Sequence, residues 1–287
     1  MISGVINVLK VPGMSSGGAV GRIKYITGEK RAGHTGTLDP AAAGVLPICI
    51  GRATRLSDII MDHEKEYIAE ACFGASTDTL DAAGKILQRS EMYVSREAFL
   101  SVLPDFTGNI VQLPPIYSAI KINGKKAYEL ARKGRDFELE KRTVNVRSVE
   151  FLSETDKNRF LIKVRCSKGT YIRTLIADIG EKLGVPAYTS VLIRSECGGM
   201  RIEDALETAE MEEMAKNGDM SFIKKPEDAV LDYKKVVLDE SRKFALENGL
   251  PTTLDAKDGL YRVYCAEEFY GMGKQQDGEL RLTIPLR

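Results

Sequence analysis

The stretch Gly33-His34-Thr35-Gly36-Thr37-Leu38-Asp39-Pro40, continued by Ala41-Ala42-Ala43-Gly44-Val45-Leu46-Pro47-Ile48-Cys49-Ile50-Gly51, decides how the rest of this chain is read. Its first half is polar: Gly33 and Gly36 open backbone conformations closed to other residues, and His34, Thr35, Thr37 and Asp39 crowd chemical groups between them. Its second half is apolar and rich in small residues. Residues 31–40 therefore read as a loop that feeds a buried element. Loops held by rigid elements are where binding and catalytic side chains concentrate. Pro40 biases Asp39 away from helical backbone. On these grounds alone Asp39 is either the cap of a following helix or a carboxylate presented for chemistry.

Upstream of that loop, residues 4–9 read as a strand, and Ser15 or Ser16 caps a helix reaching Thr27. Downstream, the pattern gives a helix around 53–61, an alternating strand at 66–73 and a helix at 95–102. A Pro114-Pro115 passage, a strand, an Asn123-Gly124 turn and a helix stopped by Gly134 follow. Strands are expected at 142–151 and 159–167, and a helix at 171–183 before Gly184. The chain changes character near residue 228, where Pro226 and its charged neighbours suggest a linker. A helix at 239–247 and short strands within 259–267, 269–275 and 278–285 come next, with a hairpin turn at Asp277-Gly278. The expected fold class is α+β, divided into residues 1–228 and a small β-rich module at 229–287.

Composition narrows the class. Of 287 residues, 41 are basic and 41 acidic, so a nucleic-acid role cannot rest on net charge and needs a local field. Such a field is available: Lys121, Lys125, Lys126, Arg132, Lys133, Arg135, Lys141, Arg142 and Arg147 cluster in one segment, while acidic residues gather after Arg201. The five cysteines are scattered and odd in number, which fits a reduced protein rather than a disulfide scaffold. With only His34 and His63, no zinc spacing exists, so no metal is expected. The segment MISGVINVLK lacks the features of a signal peptide, and no window approaches the roughly 20 apolar residues of a membrane span. The cytoplasm is the expected location.

Beyond these readings, the stretch Gly33–Gly51 with Ala53-Thr54 resembles the catalytic motif of the bacterial tRNA pseudouridine-55 synthases, the TruB family. The resemblance continues in order through Lys65-Glu66-Tyr67, Thr77-Asp78-Thr79 with Asp81 and Gly84, Pro114 to Ala119, and Cys166 to Thr174. It covers roughly residues 4–205, and the tail resembles the family's PUA module more weakly. It departs at Lys10-Val11, where the family has Lys-Pro, and at Ile193, where it has a first arginine before Arg194.

The resemblance implies a pseudouridine synthase fold, with a central mixed, largely antiparallel sheet and flanking helices, followed by a PUA-like RNA-binding domain. It implies an isomerase acting on uridine-55 in the T arm of tRNA by base flipping, without a cofactor; no metal and no required protein partner are expected, and a monomer is the plain expectation for tRNA docking. Asp39, Tyr67 and Arg173 are the implied catalytic residues. His34, Tyr67, Tyr171, Leu192 and Lys10 are the implied substrate-binding residues, with His34 filling the space the flipped base leaves. Arg173 is expected to keep Asp39 ionised and to grip it bidentately. Two alternatives stand beside this reading: a tRNA-binding folding chaperone whose catalysis is dispensable, and the same chemistry on a uridine selected by a guide RNA.

Overall fold

The computed structural model describes residues 2–122, 124–131, 133–135 and 137–287, with Lys126 described by its backbone alone. The expected turn residue Asn123 and the basic Arg132 lie outside the described residues. A ten-stranded sheet forms the larger part. Across it run Ile223–Lys224, Gly4–Lys10, Ala43–Ile50, Ala187–Cys197, Lys65–Phe73, Arg159–Cys166, Arg142–Asp156 and Gly108–Gln112. Ala32–His34 and Met200–Arg201 add to its interior strands. The described pairings are antiparallel except one, between Ala43–Ile50 and Ala187–Cys197, which is parallel and joins only Ile193 to Ala43 and Arg194 to Gly44.

Two hydrophobic clusters pack against the two halves of this sheet. One joins Phe73, Phe160, Ile162 and Val164 to Phe99 and to Leu175, Ile176 and Ile179 of helix Ile172–Lys182. The Phe99 and Phe160 rings stack at 4.5 Å. The other joins Ile6, Val8, Leu46 and Ile48 to Ala19 and Ile23 of helix Ser16–Thr27. Ser15, not Ser16, caps that helix, accepting the Gly18 N–H. Tyr67 and Leu192 pack against both clusters, so they stand at the seam between the halves.

The sheet corrects three local expectations. The segment after Asp39 is strand Ala43–Ile50, so Asp39 caps no helix. Residues 31–40 are not all loop, because Ala32–His34 pairs with Ile48 to Ile50. Pro226 does not sit in a free linker: turn Pro226–Val230 buries Ala229 and Val230 against Val5, Cys49, Leu56 and Ile60. The smaller five-stranded sheet begins at Lys234 and runs to Pro285. Its Met272, Phe269 and Ile284 enter the same cluster as Val5 and Cys49, so the two sheets share apolar core. Among the described residues no helix is long and apolar enough to cross a membrane.

Candidate active site

Strand Ala43–Ile50 is paired along one edge by Gly4–Lys10, but its other edge is divided. Ala43 and Gly44 pair with Ala187–Cys197, and Ile48 to Ile50 pair with Ala32–His34. Between them the carbonyls of Val45 and Pro47 lack ladder partners on that side, and a buried carbonyl left unpaired is costly. Side chains and loop backbone fill the gap. Arg194 Nε donates to the Val45 carbonyl at 2.7 Å, and Thr35 N–H donates to the Pro47 carbonyl at 3.0 Å. Arg194 Nη2 reaches on to the Gly36 carbonyl at 3.2 Å. Gly44 permits this close approach: a Cβ there would lie 2.2 Å from the Arg194 carbonyl oxygen.

Residues 35–42 bridge the gap and carry Asp39. The loop is pinned on both sides of that residue. The buried Ser16 hydroxyl donates to the Leu38 carbonyl and accepts the Leu38 N–H, both at 2.9 Å. The Pro40 carbonyl accepts Gly13 N–H at 2.8 Å and Lys10 Nζ at 3.3 Å. Lys10 also donates to the carbonyls of Met14 and Val11. Lys10 has no exposed surface and does not line the cavity: it stands as a strut beneath the loop. Burial lowers its ammonium to about 8, so it still carries its proton at neutral pH.

Asp39 lies in a cavity of about 480 Å³ lined also by Tyr67, Tyr171, Leu192, Arg173 and Arg194. That volume suits one nucleotide-sized group. The structure therefore gathers five of the seven expected site residues into one pocket. Lys10 lies under it. His34 is absent from its lining and is half-buried on strand Ala32–His34, its Nδ1 accepting the Gly36 N–H at 3.4 Å.

Arg173, the second residue of helix Ile172–Lys182, is 4% exposed and donates from Nε to Asp39 Oδ2 at 2.8 Å. The expected bidentate grip is not made. Nη1 donates to the Thr79 carbonyl at 2.6 Å and Nη2 to the Tyr117 carbonyl at 3.0 Å, so the guanidinium is shared among three segments. Asp81 Oδ2 approaches Nη1 at 3.9 Å. Burial pushes the Asp39 carboxyl above its ordinary 3.8; Arg173 pulls it down, and Asp81 pushes it up. The Asp39 side chain keeps 33% of its surface exposed, so a ligand in the cavity can reach it.

Tyr67 faces Arg194 directly across paired strands. Burial pushes its phenol up to about 12, against the opposing pull of Arg194. At neutral pH it is a phenol and an apolar wall. Tyr171 is held by its backbone: Gln112, fully buried, accepts its N–H at 3.0 Å and donates to its carbonyl at 3.2 Å. Arg194, Asp81 and Gln112 escaped the sequence reading as site residues. Asp81 had a signal in its spacing after Thr77-Asp78-Thr79, whereas Gln112 and Arg194 act through carbonyls and amides that sequence does not reveal. Among the described residues no group of three His, Cys, Asp or Glu side chains converges as a metal cage would.

Similar proteins point to one family. Residues 24–172 match the TruB family pseudouridylate synthase N-terminal domain. The tRNA pseudouridine synthase B of Caldanaerobacter subterraneus subsp. tengcongensis is 42% identical over 284 residues, covering 98% of both chains. That of Pelotomaculum thermopropionicum is 44% identical over 254 residues, covering 86% of this chain and 80% of its own. A chain from the crystal structure of a Cbf5-Nop10-Gar1 complex superposes with a TM-score of 0.73 at 29% identity, covering 95% of this chain and 78% of that one. The motif around Asp39, the sheet that carries it and these likenesses over nearly the full length place the chain in the TruB family of pseudouridylate synthases.

Proposed function

We propose that the chain isomerises uridine-55 in the T arm of tRNA to pseudouridine, with Asp39 as the catalytic carboxylate. The observation that carries this is the Asp39–Arg173 ion pair in a cavity walled by Tyr67, Tyr171 and Leu192. The relatives named as tRNA pseudouridine synthase B support tRNA as the substrate. The reaction breaks the N1–C1′ bond, turns the uracil and forms C5–C1′. It ends with transfer of the C5 proton, so atoms balance without a co-substrate. A carboxylate can trap or stabilise the electrophilic carbon exposed when the first bond breaks. Tyr67 and Leu192 hold the base between apolar surfaces while it turns, and Tyr171 closes the pocket beside Arg173.

A uridine within a folded arm must leave its stack to enter, at a cost of a few kcal/mol. His34, beside the pocket on the Gly36 turn, is proposed to occupy the space left behind. The C-terminal sheet is proposed as a PUA-like RNA-binding module that extends the contact. The exposed Lys121, Lys125, Lys133, Arg135 and Lys141 supply a basic approach to phosphates. The chain is proposed to act as a cytoplasmic monomer.

The test is to incubate purified chain with unmodified tRNA and map pseudouridine by position. Product at position 55 is expected. For Asp39→Asn, RNA affinity within about threefold of wild type and no detectable product are expected, because the amide keeps the shape but loses the charge. Full turnover by that variant would exclude the assigned role. Unimpaired assistance to tRNA folding by the same variant would add the chaperone activity to the enzyme.

A further inference from the structure

Five cationic side chains line the cavity, Lys65, Arg142, Lys168, Arg173 and Arg194, against a single carboxylate, Asp39. Four are engaged. Lys65 Nζ donates to the carbonyls of Met61 and His63. Lys168 pairs with Asp62. Arg173 serves Asp39, Thr79 and Tyr117, and Arg194 serves Val45 and Gly36. Arg142 is different. It opens strand Arg142–Asp156 opposite Gln112, is half-buried, and is matched to no acid within the cavity lining. Among the described residues Arg142 forms no ion pair, whereas Arg173 pairs with Asp39 and Arg194 is held by two main-chain carbonyls.

Its surroundings favour a ligand rather than a missing internal partner. Gly169 turns the chain beside it with φ of +82°, and a Cβ there would lie 3.9 Å from Arg142 Nη1, so bare backbone faces the guanidinium. The Tyr171 phenol feels the charges of both Arg142 and Asp39, and all three residues line the one cavity. A partly desolvated guanidinium with unused donors gains most from a planar or tetrahedral oxyanion that accepts two N–H groups at once. A phosphodiester is the anion that accompanies a nucleotide.

Resting on the function proposed above, we infer that Arg142 binds the backbone phosphate adjoining the flipped uridine. The nucleotide is then held at both ends. Tyr67 and Leu192 take the base, Arg142 takes the phosphate, and the ribose between them is brought to Asp39. Arg142 is thus a substrate-binding residue for registration of the nucleotide, separate from the exposed lysines that serve general attraction.

The test uses the full chain and T-arm hairpins that each carry one uncharged methylphosphonate at a different linkage around the target uridine. Affinities are measured for wild type, R142Q and R142K at several salt concentrations. Wild type is expected to lose about tenfold at one linkage flanking the target, the scale of one charge-assisted contact. R142Q is expected to lose the same factor on the native hairpin, and nothing further at that linkage. R142K should fall between them, and the salt slope of R142Q should drop by about one.

Wild-type affinity in R142Q would overturn the inference. So would a loss that multiplies with the methylphosphonate at every linkage. Inorganic phosphate as competitor separates the two sources of this anion. Saturable phosphate binding that R142Q abolishes, with no coupled linkage in the hairpin scan, assigns the site to free phosphate and also overturns it. Pseudouridine mapping on the native hairpin separates the two readings: product without a coupled linkage refutes the role of Arg142 alone, whereas absence of product refutes the proposed function.

Discussion

Asp39 must be ionised to act as a carboxylate, and its surroundings resist ionisation. Burial and Asp81 raise its carboxyl above 3.8, with Arg173 only partly opposing them. A raised value means that protonation begins at higher pH than for a free aspartate. The single-turnover rate, followed by pH jump from neutral buffer, is therefore expected to fall on the acid side with a midpoint above 3.8. Asp81→Asn removes a like charge and should move that midpoint down. A midpoint at or below the free-aspartate value would show that Arg173 dominates instead. The residue scale also shows where sequence reading stops. The identities of Asp39, Tyr67, Tyr171, Leu192 and Arg173 were legible through their motifs. The three-way sharing of the Arg173 guanidinium was not, because two of its acceptors are main-chain carbonyls of Thr79 and Tyr117, and any residue supplies a carbonyl.

At the scale of elements, the loop 35–42 is a bridge across an interrupted strand edge, fixed by Ser16 on one flank of Asp39 and Lys10 on the other. Lys10→Met removes the donors to the Val11, Met14 and Pro40 carbonyls while keeping the length of the side chain. Misplacement of a catalytic group by an ångström can cost about a hundredfold. A fall of roughly 10- to 100-fold in single-turnover rate is expected, with RNA affinity within about threefold of wild type. An equal loss in affinity would mean that Lys10 touches RNA after all. The 187–197 strand, which carries Leu192 and Arg194, was the main element the sequence pattern hid. Its register shifts between Thr189 and Val191 and again between Arg194 and Glu196, so period-two alternation never runs long enough to be seen. Arg194 compounds this, since a charged residue at 1% exposure contradicts the usual expectation for arginine. The three residues Ala32–His34 were hidden for a simpler reason: a strand that short is defined by its partner, not by its own pattern.

For the whole molecule, the shared core matters most. Met272 is fully buried in a cluster built from both sheets, with Val5, Cys49, Leu56 and Ile60 on one side. Met272→Ala is expected to cost about 2–5 kcal/mol, read by chemical denaturation. One cooperative transition is expected for wild type and variant alike, since neither sheet buries this cluster alone. Two separated transitions would show that the C-terminal sheet is held by contact too weak to couple it.

The interrupted sheet also has a consequence for synthesis. Asp39 belongs to the first seventh of the chain, yet Arg173 pairs with it, Leu192 lines the same cavity, and Arg194 closes the gap beneath its loop. Chains fold as they emerge, beginning from the amino end. Until residue 173 has left the ribosome Asp39 lacks its counter-ion, and until residue 194 has followed, the strand edge beside Val45 stays open and the pocket lacks a wall. The nascent protein therefore carries the Asp39 carboxylate without its finished pocket through most of translation, and the proposed site is assembled only when about two-thirds of the chain is in place.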